Sequence, residues 1–374
     1  LGVPHNFEKT GNENKSVDLK RPLEGEVSMK KLIDLQRKVV PEVLENMEKR
    51  YSILKEISLS SPIGRRMLAG KLNLSERVVR TEVEFLKEQN LINIDASGMF
   101  MTDEGIDVLE NLSSFISEIK GITKLEDILT KRLGIKKIVI IPSSIDECPA
   151  CSIDMAKAAG RYFFSIMREH KVIGITGGTT MHSFAENLPQ MKTEMPLTIV
   201  PARGGLGEEV EIQANNIAAM VSKKLNGHYV LLHVPDNIDK DIMESITSIP
   251  QVKSTLEAID EIDLLVFGIG NASDMAKRRK SSDKECMVIK ERGAVSEAFG
   301  HYFNIDGEIV YETSTVGIKL DKYKALNDII GIAGGKKKAE AILSIARINR
   351  NLVLITDESA ANYLMEITGG FDDN

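Results

Sequence analysis

The 374-residue sequence lacks the features that mark secreted and membrane proteins. Its three cysteines are too few for a disulfide framework, which fits a reducing compartment. No apolar run reaches the ~18 residues that a membrane-spanning helix needs, and no charged leader precedes an apolar stretch. We therefore expect a cytoplasmic protein with no membrane partner.

An overall excess of positive charge is also missing. The formal net charge of −7 argues against a protein that coats nucleic acid or an anionic membrane with its whole surface. One local basic face is still compatible with this charge. A chain of this length is long enough for two or more domains, each with its own core.

Two of the three cysteines, Cys148 and Cys151, stand in the sequence "CPAC". Thiol–disulfide enzymes and zinc knuckles both use this spacing. A zinc site needs about four ligands, however, and the remaining cysteine, Cys286, lies far along the chain with no second pair. We interpret the motif as chance spacing and expect neither a metal nor a cofactor.

The first part of the chain predicts a small helical domain with a hairpin. Residues 1–28 are polar and read as a disordered extension. Apolar periodicity then predicts helices in "PEVLENMEKRYSILKEISL", in "SPIGRRMLAGKL" with Pro62 in the first turn, and in "NLSERVVRTEVEFLKEQN" with Ser75 as N-cap. "LINID" and "MFMT", separated by Ala-Ser-Gly, predict a hairpin. Together they predict a winged helix-turn-helix DNA-binding domain over residues 29–105.

Charge in this domain favours contact with double-stranded DNA. Between positions 49 and 80 the acidic residues are Glu56 and Glu76, and eight residues are basic: Lys49, Arg50, Lys55, Arg65, Arg66, Lys71, Arg77 and Arg80. Such a patch suits the neutralisation of phosphates. Arg77 and Arg80, with Thr81 beside them, lie near the start of the third helix and are expected to reach base edges. The alternatives are an ordinary solvated face or a winged helix that contacts only protein.

A long helical region follows, from Thr102 to Leu133, with Gly121 as a break point. We interpret residues 106–133 as a linker and oligomerisation helix. Its apolar stripe contains Leu109, Leu112, Ile116, Ile119, Leu125, Ile128 and Leu129. Either the following domain or a partner subunit must cover this stripe. A homo-oligomer, dimer or tetramer, is the economical explanation because operator-binding proteins usually read paired half-sites.

Residues 134–374 alternate strand and helix patterns, which predicts an α/β, doubly wound, Rossmann-like domain. The strand segments are "KKIVIIP", "KVIGIT", "LTIVPAR", "HYVLLHV", "LLVFGIG", "DIIGIAGG" and "NLVLIT". Ligands of such folds bind at the carboxyl ends of the strands. We therefore looked for chemistry directly after these segments.

The segment "KVIGIT" leads into Gly177, Gly178, Thr179 and Thr180, which precede a helix. Glycines at a helix N-terminus let backbone N–H groups approach a phosphate, although any doubly wound domain also needs glycines at such turns. Cationic side chains follow other strands, as Arg203, Arg278, Arg279 and the run Lys336–Lys338. Glu297 and Gln213 suit sugar hydroxyls. A sugar with a phosphate at both ends would use both sets.

Several long stretches resemble the SorC family of sugar-responsive bacterial transcriptional repressors. They are "SPIGRRMLAGKLNLSERVVRTEVEFLKEQNLI", "TGGTT", "VPARGGLGEEVEIQAN", "AVSEAFGHYFNIDGE" and "IAGGKKKAEAI", and the resemblance spans about residues 29–367. It implies an effector domain resembling phosphosugar isomerases. It also implies a repressor of the operon for the triose-phosphate part of glycolysis, with fructose 1,6-bisphosphate as inducer.

The resemblance also implies roles for particular residues. It places the helix-turn-helix at about residues 65–84, the segment to which the charge pattern had already led. Charge and position in that segment give the DNA-contacting candidates Arg65, Arg66, Lys71, Ser75, Arg77, Arg80 and Thr81. The effector-binding candidates that the resemblance implies are Gly177, Gly178, Thr179, Thr180, Arg203, Gln213, Arg278, Arg279, Glu297 and Lys338. The alternative is a phosphosugar isomerase with an appended domain. Glu297 is the one candidate base in the cleft, and a basic winged helix favours the repressor.

Overall fold

The computed structural model describes residues 29–191, 197–206, 209–235 and 240–369. The extension predicted at residues 1–28 lies outside them. The N-terminal part consists of α1 (Met29–Val39), α2 (Pro41–Ser60), α3 (Arg65–Lys71), α4 (Glu76–Glu88), β1 (Ile92–Ile94) and β2 (Met99–Met101). The strands β1 and β2 pair antiparallel, so the predicted helices and hairpin are confirmed.

The helix α3 starts later than the segment "SPIGRRMLAGKL" predicts. Pro62 lies outside α3, so its placement in the first helical turn is wrong. The reason is tertiary: the backbone of Ile63 exchanges hydrogen bonds of 3.4 and 2.9 Å with Met99, which adds an edge to the hairpin. Gly98 has φ +144°, and a Cβ there would lie 2.9 Å from the Ile63 nitrogen. The hairpin tip therefore needs glycine at this position.

The long helical region is divided at Gly121, as predicted, into α5 (Asp103–Ile119) and α6 (Ile122–Leu133). Gly121 has φ +70°. Ile116 and Ile119 of α5 pack with residues of α1 and α2. Leu125 and Leu129 of α6 pack into the core of the following domain. The chain itself covers much of the apolar stripe, so the stripe no longer indicates a partner subunit.

The C-terminal part is built on a seven-stranded parallel sheet. In their order across the sheet, its strands are β3 (Lys137–Ile141), β13 (Leu352–Asp357), β12 (Asp328–Ile332), β7 (Leu264–Gly268), β4 (Val172–Ile175), β5 (Thr198–Pro201) and β6 (His228–Tyr229). A four-stranded antiparallel sheet stands beside it, with β8 (Gly270–Asn271), β9 (Ser296–Ala298), β10 (His301–Phe303) and β11 (Ile309–Glu312). The sequence patterns did not predict this second sheet.

Helices cover both faces of the parallel sheet, which confirms the predicted doubly wound fold. They are α7 (Ser152–Ile166), α8 (Thr179–Asn187), α9 (Ala214–Leu225), α10 (Lys240–Thr247), α11 (Pro250–Asp260), α12 (Ala272–Arg278), α13 (Asp283–Glu291), α14 (Leu320–Ala325), α15 (Ala339–Ile348) and α16 (Glu358–Ile367). One core cluster includes Phe163 and Phe184, from α7 and α8. Another includes Ile342 and Leu364, from α15 and α16. Within the described ranges, no helix has the length and apolar character that crossing a membrane requires.

The strand order reverses between β4 and β7. The chain steps outward from β4 to β5 and β6, then returns to β7 on the other side of β4. The connections after β4 and β7 therefore leave the sheet in opposite directions and open a crevice at its carboxyl edge.

Candidate functional site

A cavity of about 380 Å³ lies at this reversal, against the ends of β4 and β7. All the predicted effector residues except Arg279 line its wall: Gly177, Gly178, Thr179, Thr180, Arg203, Gln213, Arg278, Glu297 and Lys338. These residues come from four connections between strands of the parallel sheet. The fold thus brings together side chains that the sequence places up to 161 positions apart.

The Gly-Gly-Thr-Thr segment presents a helix N-terminus to the cavity. The helix α8 begins at Thr179, so the N–H groups of its first turn have no intrahelical acceptors. A Cβ on Gly177 would lie 2.7 Å from the Ile212 carbonyl oxygen, and Gly178 has φ +118°. Both positions therefore need glycine. The backbone and the positive end of the helix favour an anion here.

Two cations lie beside this helix end. The Arg278 Nη1 is 3.6 Å from the position of a Cβ on Gly178. Lys338 is half-buried and makes no ion pair with any residue that the structure describes. Burial, reinforced by the charge of Arg278, lowers the pKa of Lys338 from its ordinary value, against an opposing effect of Asp274. Arg278, Lys338 and the α8 N-terminus therefore concentrate positive charge at one end of the cavity, which suits the predicted binding of an anion.

A second cationic group surrounds Glu297. The buried Arg279 Nη2 donates to Glu297 Oε1 at 2.8 Å, and the Gly300 N–H donates to the same oxygen at 2.9 Å. Arg203 Nη1 lies 3.7 Å from Glu297 Oε2. Arg203 and Glu297 line the cavity, whereas Arg279 lies outside its lining. Arg279 therefore holds Glu297 in this structure, and its predicted contact with the effector stays a prediction.

The carboxyl of Glu297 is held in its charged form. Burial alone would raise its pKa, but the charges of Arg203 and Arg279, with hydrogen bonds from Arg279 and Gly300, outweigh burial and lower it. One of its oxygens is already shared by two donors. The other oxygen, Oε2, faces Arg203, and the role of Glu297 in accepting sugar hydroxyls stays a prediction.

The amide of Gln213 is also engaged by the protein. Its Oε1 accepts from the Leu206 N–H at 2.9 Å, and its Nε2 donates to the carbonyls of Leu206 at 2.8 Å and Glu209 at 3.2 Å. Gln213 therefore holds the chain segment after β5 that forms part of the wall. From the sequence, we predicted that this amide is available to bind a sugar hydroxyl.

The cavity also contains polar residues that the sequence did not single out. Asn271, Asp274, Lys277 and Lys280 lie in or beside α12 and line the same wall. A signal for them was present, because "NASDMAKRRK" directly follows a strand segment and is rich in charge. Only its two arginines were interpreted as ligands.

The DNA-binding candidates lie on one exposed part of the N-terminal domain, but acidic side chains offset some of them. Three are ion-paired: Arg66 with Glu76 at 3.6 Å, Lys71 with Glu56 at 2.6 Å, and Arg80 with Glu84 at 3.0 Å. Ser75 caps α4 by accepting from the Val78 N–H at 3.3 Å, and the Thr81 hydroxyl donates to the Arg77 carbonyl.

Charge counting along the sequence therefore overstates the basic patch. Lys49 and Arg50 both pair with Glu82, which lies just beyond the counted segment, and Lys55 pairs with Asp154 of the C-terminal part. Among the residues that the structure describes, Arg65 and Arg77 are exposed and lie in no ion pair. They are the arginines best placed to meet a phosphate or a base edge.

The cysteines of "CPAC" lie at the turn that enters α7. Cys151 is buried and Cys148 is half-buried, and both thiols are free. In the described ranges, no three His, Cys, Asp or Glu side chains are gathered as metal ligands.

Comparisons with known proteins agree with a two-part organisation. A family described as "CggR N-terminal DNA binding domain" matches residues 46–116, and one described as "Putative sugar-binding domain" matches residues 117–366. The central glycolytic genes regulator of Bacillus subtilis (strain 168) is 43% identical over 337 residues, covering 90% of this chain and 99% of that protein. The same-named protein of Priestia megaterium is 42% identical over 342 residues, with the same coverage.

Solved structures show the same relationship. A SorC family transcriptional regulator from Enterococcus faecalis is 33% identical with a TM-score of 0.61, covering 65% of this chain and 99% of that one. The full-length sorbitol operon regulator from Klebsiella pneumoniae, at 20% identity, shares the fold with a TM-score of 0.59 over 84% of this chain and 97% of that one.

These relatives are transcriptional regulators, so the chain is a regulator and not an isomerase. A DNA-binding domain precedes a sugar-binding domain in one chain. The protein therefore belongs to the SorC family of sugar-responsive transcriptional regulators, within its group of central glycolytic genes regulators.

Proposed function

We propose that the protein represses the operon for the triose-phosphate part of glycolysis and that fructose 1,6-bisphosphate in the cavity releases it from its operator. The observation that carries the proposal is the presence of two separate cationic groups in one cavity. Lys338 follows β12 and Arg203 follows β5, three strand spacings apart in the sheet. At about 4.8 Å per spacing this is roughly 14 Å between strands, which leaves room for a sugar with a phosphate at each end.

Likeness to the two central glycolytic genes regulators supports the choice of operon. Double-stranded operator DNA is the partner of the N-terminal domain in this proposal, and the protein acts in the cytoplasm, where that DNA is found. A homo-oligomer, dimer or tetramer, stays part of the proposal because paired half-sites are the usual targets of such domains. The effector acts as a ligand and not as a cofactor, and the protein does not convert it.

The test is a titration of the purified protein on a labelled operator fragment with fructose 1,6-bisphosphate, fructose 6-phosphate and inorganic phosphate. The bisphosphate is expected to release DNA at much lower concentration than the other two, because only it reaches both cationic groups. Lys338→Ala should weaken bisphosphate binding about 10- to 100-fold, the loss expected for one charged hydrogen bond. Binding to operator without effector should be unchanged.

Lys336→Ala is the matched control. Lys336 lies in the same loop as Lys338, but it is exposed and its ammonium stacks 4.6 Å above the Tyr363 ring. Its loss should leave bisphosphate binding within about twofold of the unmodified protein, as expected for a surface substitution. The proposed identity of the effector would be wrong if the bisphosphate left operator binding unchanged. It would also be wrong if fructose 6-phosphate released the operator equally well.

A further inference from the structure

The loop that carries Lys338 rests directly on another loop of the same domain. We call residues 334–338 the lysine loop and residues 142–148, which follow β3, the junction loop. The Lys336 N–H donates to Asp146 Oδ2 at 2.7 Å. A Cβ on Gly334 would lie 2.5 Å from Ile145 Cδ1, and one on Gly335 would lie 3.0 Å from Asp146 Oδ1. The two loops are therefore in direct contact and are joined by a hydrogen bond.

A buried carboxylate at the end of β13 also joins the lysine loop to the junction loop. Asp357, at the end of β13, accepts from the Gly335 N–H at 2.8 Å with Oδ1 and from the Ile145 N–H at 2.7 Å with Oδ2. It also caps α16 by accepting from the Ala360 N–H at 3.1 Å. One side chain thus fixes the lysine loop, the junction loop and the start of α16 together.

The junction loop and the start of α16 contact the end of α5, the helix that follows the DNA-binding domain. Lys120, at the end of α5, donates to the Pro142 carbonyl at 3.2 Å and pairs with Glu358 at 2.9 Å. The Glu358 N–H in turn donates to the Ser143 carbonyl at 3.0 Å. A second ion pair, 2.8 Å long, joins Lys55 of α2 to Asp154 of α7.

The other side of the junction loop is open. A cavity of about 430 Å³ lies between α2, the junction loop and α16, and its wall includes Tyr51, Lys55, Ser143 and Glu358. The junction loop therefore contacts the lysine loop on one side and borders the cavity on the side of the DNA-binding domain. This cavity gives the junction loop space to move when Lys338 shifts.

We propose that Asp146, Asp357 and Lys120 are positioning residues that transmit effector binding at the lysine loop to α2 and α5 through the junction loop. The inference rests on the proposed function, since it names the route by which the effector releases DNA. When an anion draws Lys338 toward Arg278, the lysine loop moves with Lys338. Through Asp146 and Asp357 the junction loop moves with the lysine loop. The contacts of Lys120 then shift α5 and α2, the helices that pack beside α4.

The test compares affinity for fructose 1,6-bisphosphate with and without saturating operator, in the full-length protein. The ratio of the two affinities is the coupling factor, and linkage requires that operator and effector weaken each other by this same factor. Asp146→Ala and Lys120→Ala should each reduce the coupling factor about 2- to 30-fold, the range seen for residues that link two sites. Both residues are exposed, so folding should be retained.

Neither variant should change bisphosphate affinity of the DNA-free protein or operator affinity of the effector-free protein by more than about twofold, as for a surface substitution. Lys136→Ala is the control. Lys136 pairs with Asp328 at 2.7 Å beside the same strands, β3 and β12, but at their opposite ends. It should keep the full coupling factor.

The outcomes separate the two proposals. If the unmodified protein shows a coupling factor of one, the proposed effector mechanism fails, whatever the variants do. If the unmodified protein couples but Asp146→Ala and Lys120→Ala couple equally well, the route is wrong and the effector mechanism stands. An equal loss in Lys136→Ala would also overturn the route, because any surface ion pair would then have the same effect.

Discussion

Glu297 is the residue whose replacement has the most predictable energetic effect. It is buried between Arg203 and Arg279, and it accepts an additional hydrogen bond from Gly300. Glu297→Gln leaves two arginines facing a neutral amide, and breaking a buried ion pair typically costs about 3–5 kcal/mol. We expect a loss of that size in the free energy of unfolding, measured with urea near pH 7. Glu312→Gln, at an exposed position on β11, should cost less than about 0.5 kcal/mol.

The same substitution has a defined pH dependence. Because the pKa of Glu297 is lowered in the folded protein, its contribution is present above the ordinary value of 4.5 and is lost as pH falls through the folded value. The difference between the two proteins should therefore narrow as the pH falls below 4.5. A difference that stays constant into acid would show that the pKa of Glu297 is not lowered in the folded protein.

At the residue scale, the sequence indicated which residues follow a strand and so lie near the cavity. It did not indicate which protein groups their side chains contact. Lys338 and Arg203 follow strands, and both line the cavity. Arg279 is adjacent to Arg278 in the sequence, but its guanidinium bonds Glu297 and it lies outside the cavity lining. The engagement of Gln213 depends on the path of the backbone near Leu206, which local sequence does not specify.

At the element scale, α4 is the helix expected to enter the DNA groove. Arg77→Ala should lower operator affinity by about 1–3 kcal/mol and relax the preference for one base, if the guanidinium binds a base edge. Arg65→Ala should weaken all sequences alike and lower the salt slope by about 1. Lys87→Ala, at the far end of α4, is the control. Unchanged operator binding in both arginine variants would remove α4 and α3 from the DNA interface.

Helices were more predictable than short strands for a physical reason. The helices α2, α4 and α5 run over 13 to 20 residues, so an apolar face repeats several times in each. The strands β8 to β11 have two to four residues, too few for an alternating pattern to stand out. The start of α3 depends on the pairing of Ile63 with Met99, a contact between residues far apart in sequence.

For the whole molecule, alternating strands and helices predicted the parallel sheet but not its strand order. The order decides where the crevice opens, and it depends on which side of β4 the returning strand β7 joins. The apolar stripe of residues 109–129 shows a similar limit. Its hydrophobicity predicted that something must cover it, but only the folded chain shows that α1, α2 and the core of the C-terminal domain cover much of it.

The packing of α6 determines where the protein can be divided into fragments for expression. Ile122, Leu125, Leu129 and Leu133 are buried in the core beneath the sheet, and each contributes about 1.5–3 kcal/mol through burial. A fragment that begins at residue 134 would expose this apolar surface and should aggregate on purification, whereas one that begins at residue 117 should stay monodisperse in size-exclusion chromatography and bind the bisphosphate. Equal behaviour of the two fragments would mean that α6 is dispensable. The helix that joins the domains in sequence thus belongs, for purposes of production and crystallisation, to the second of them.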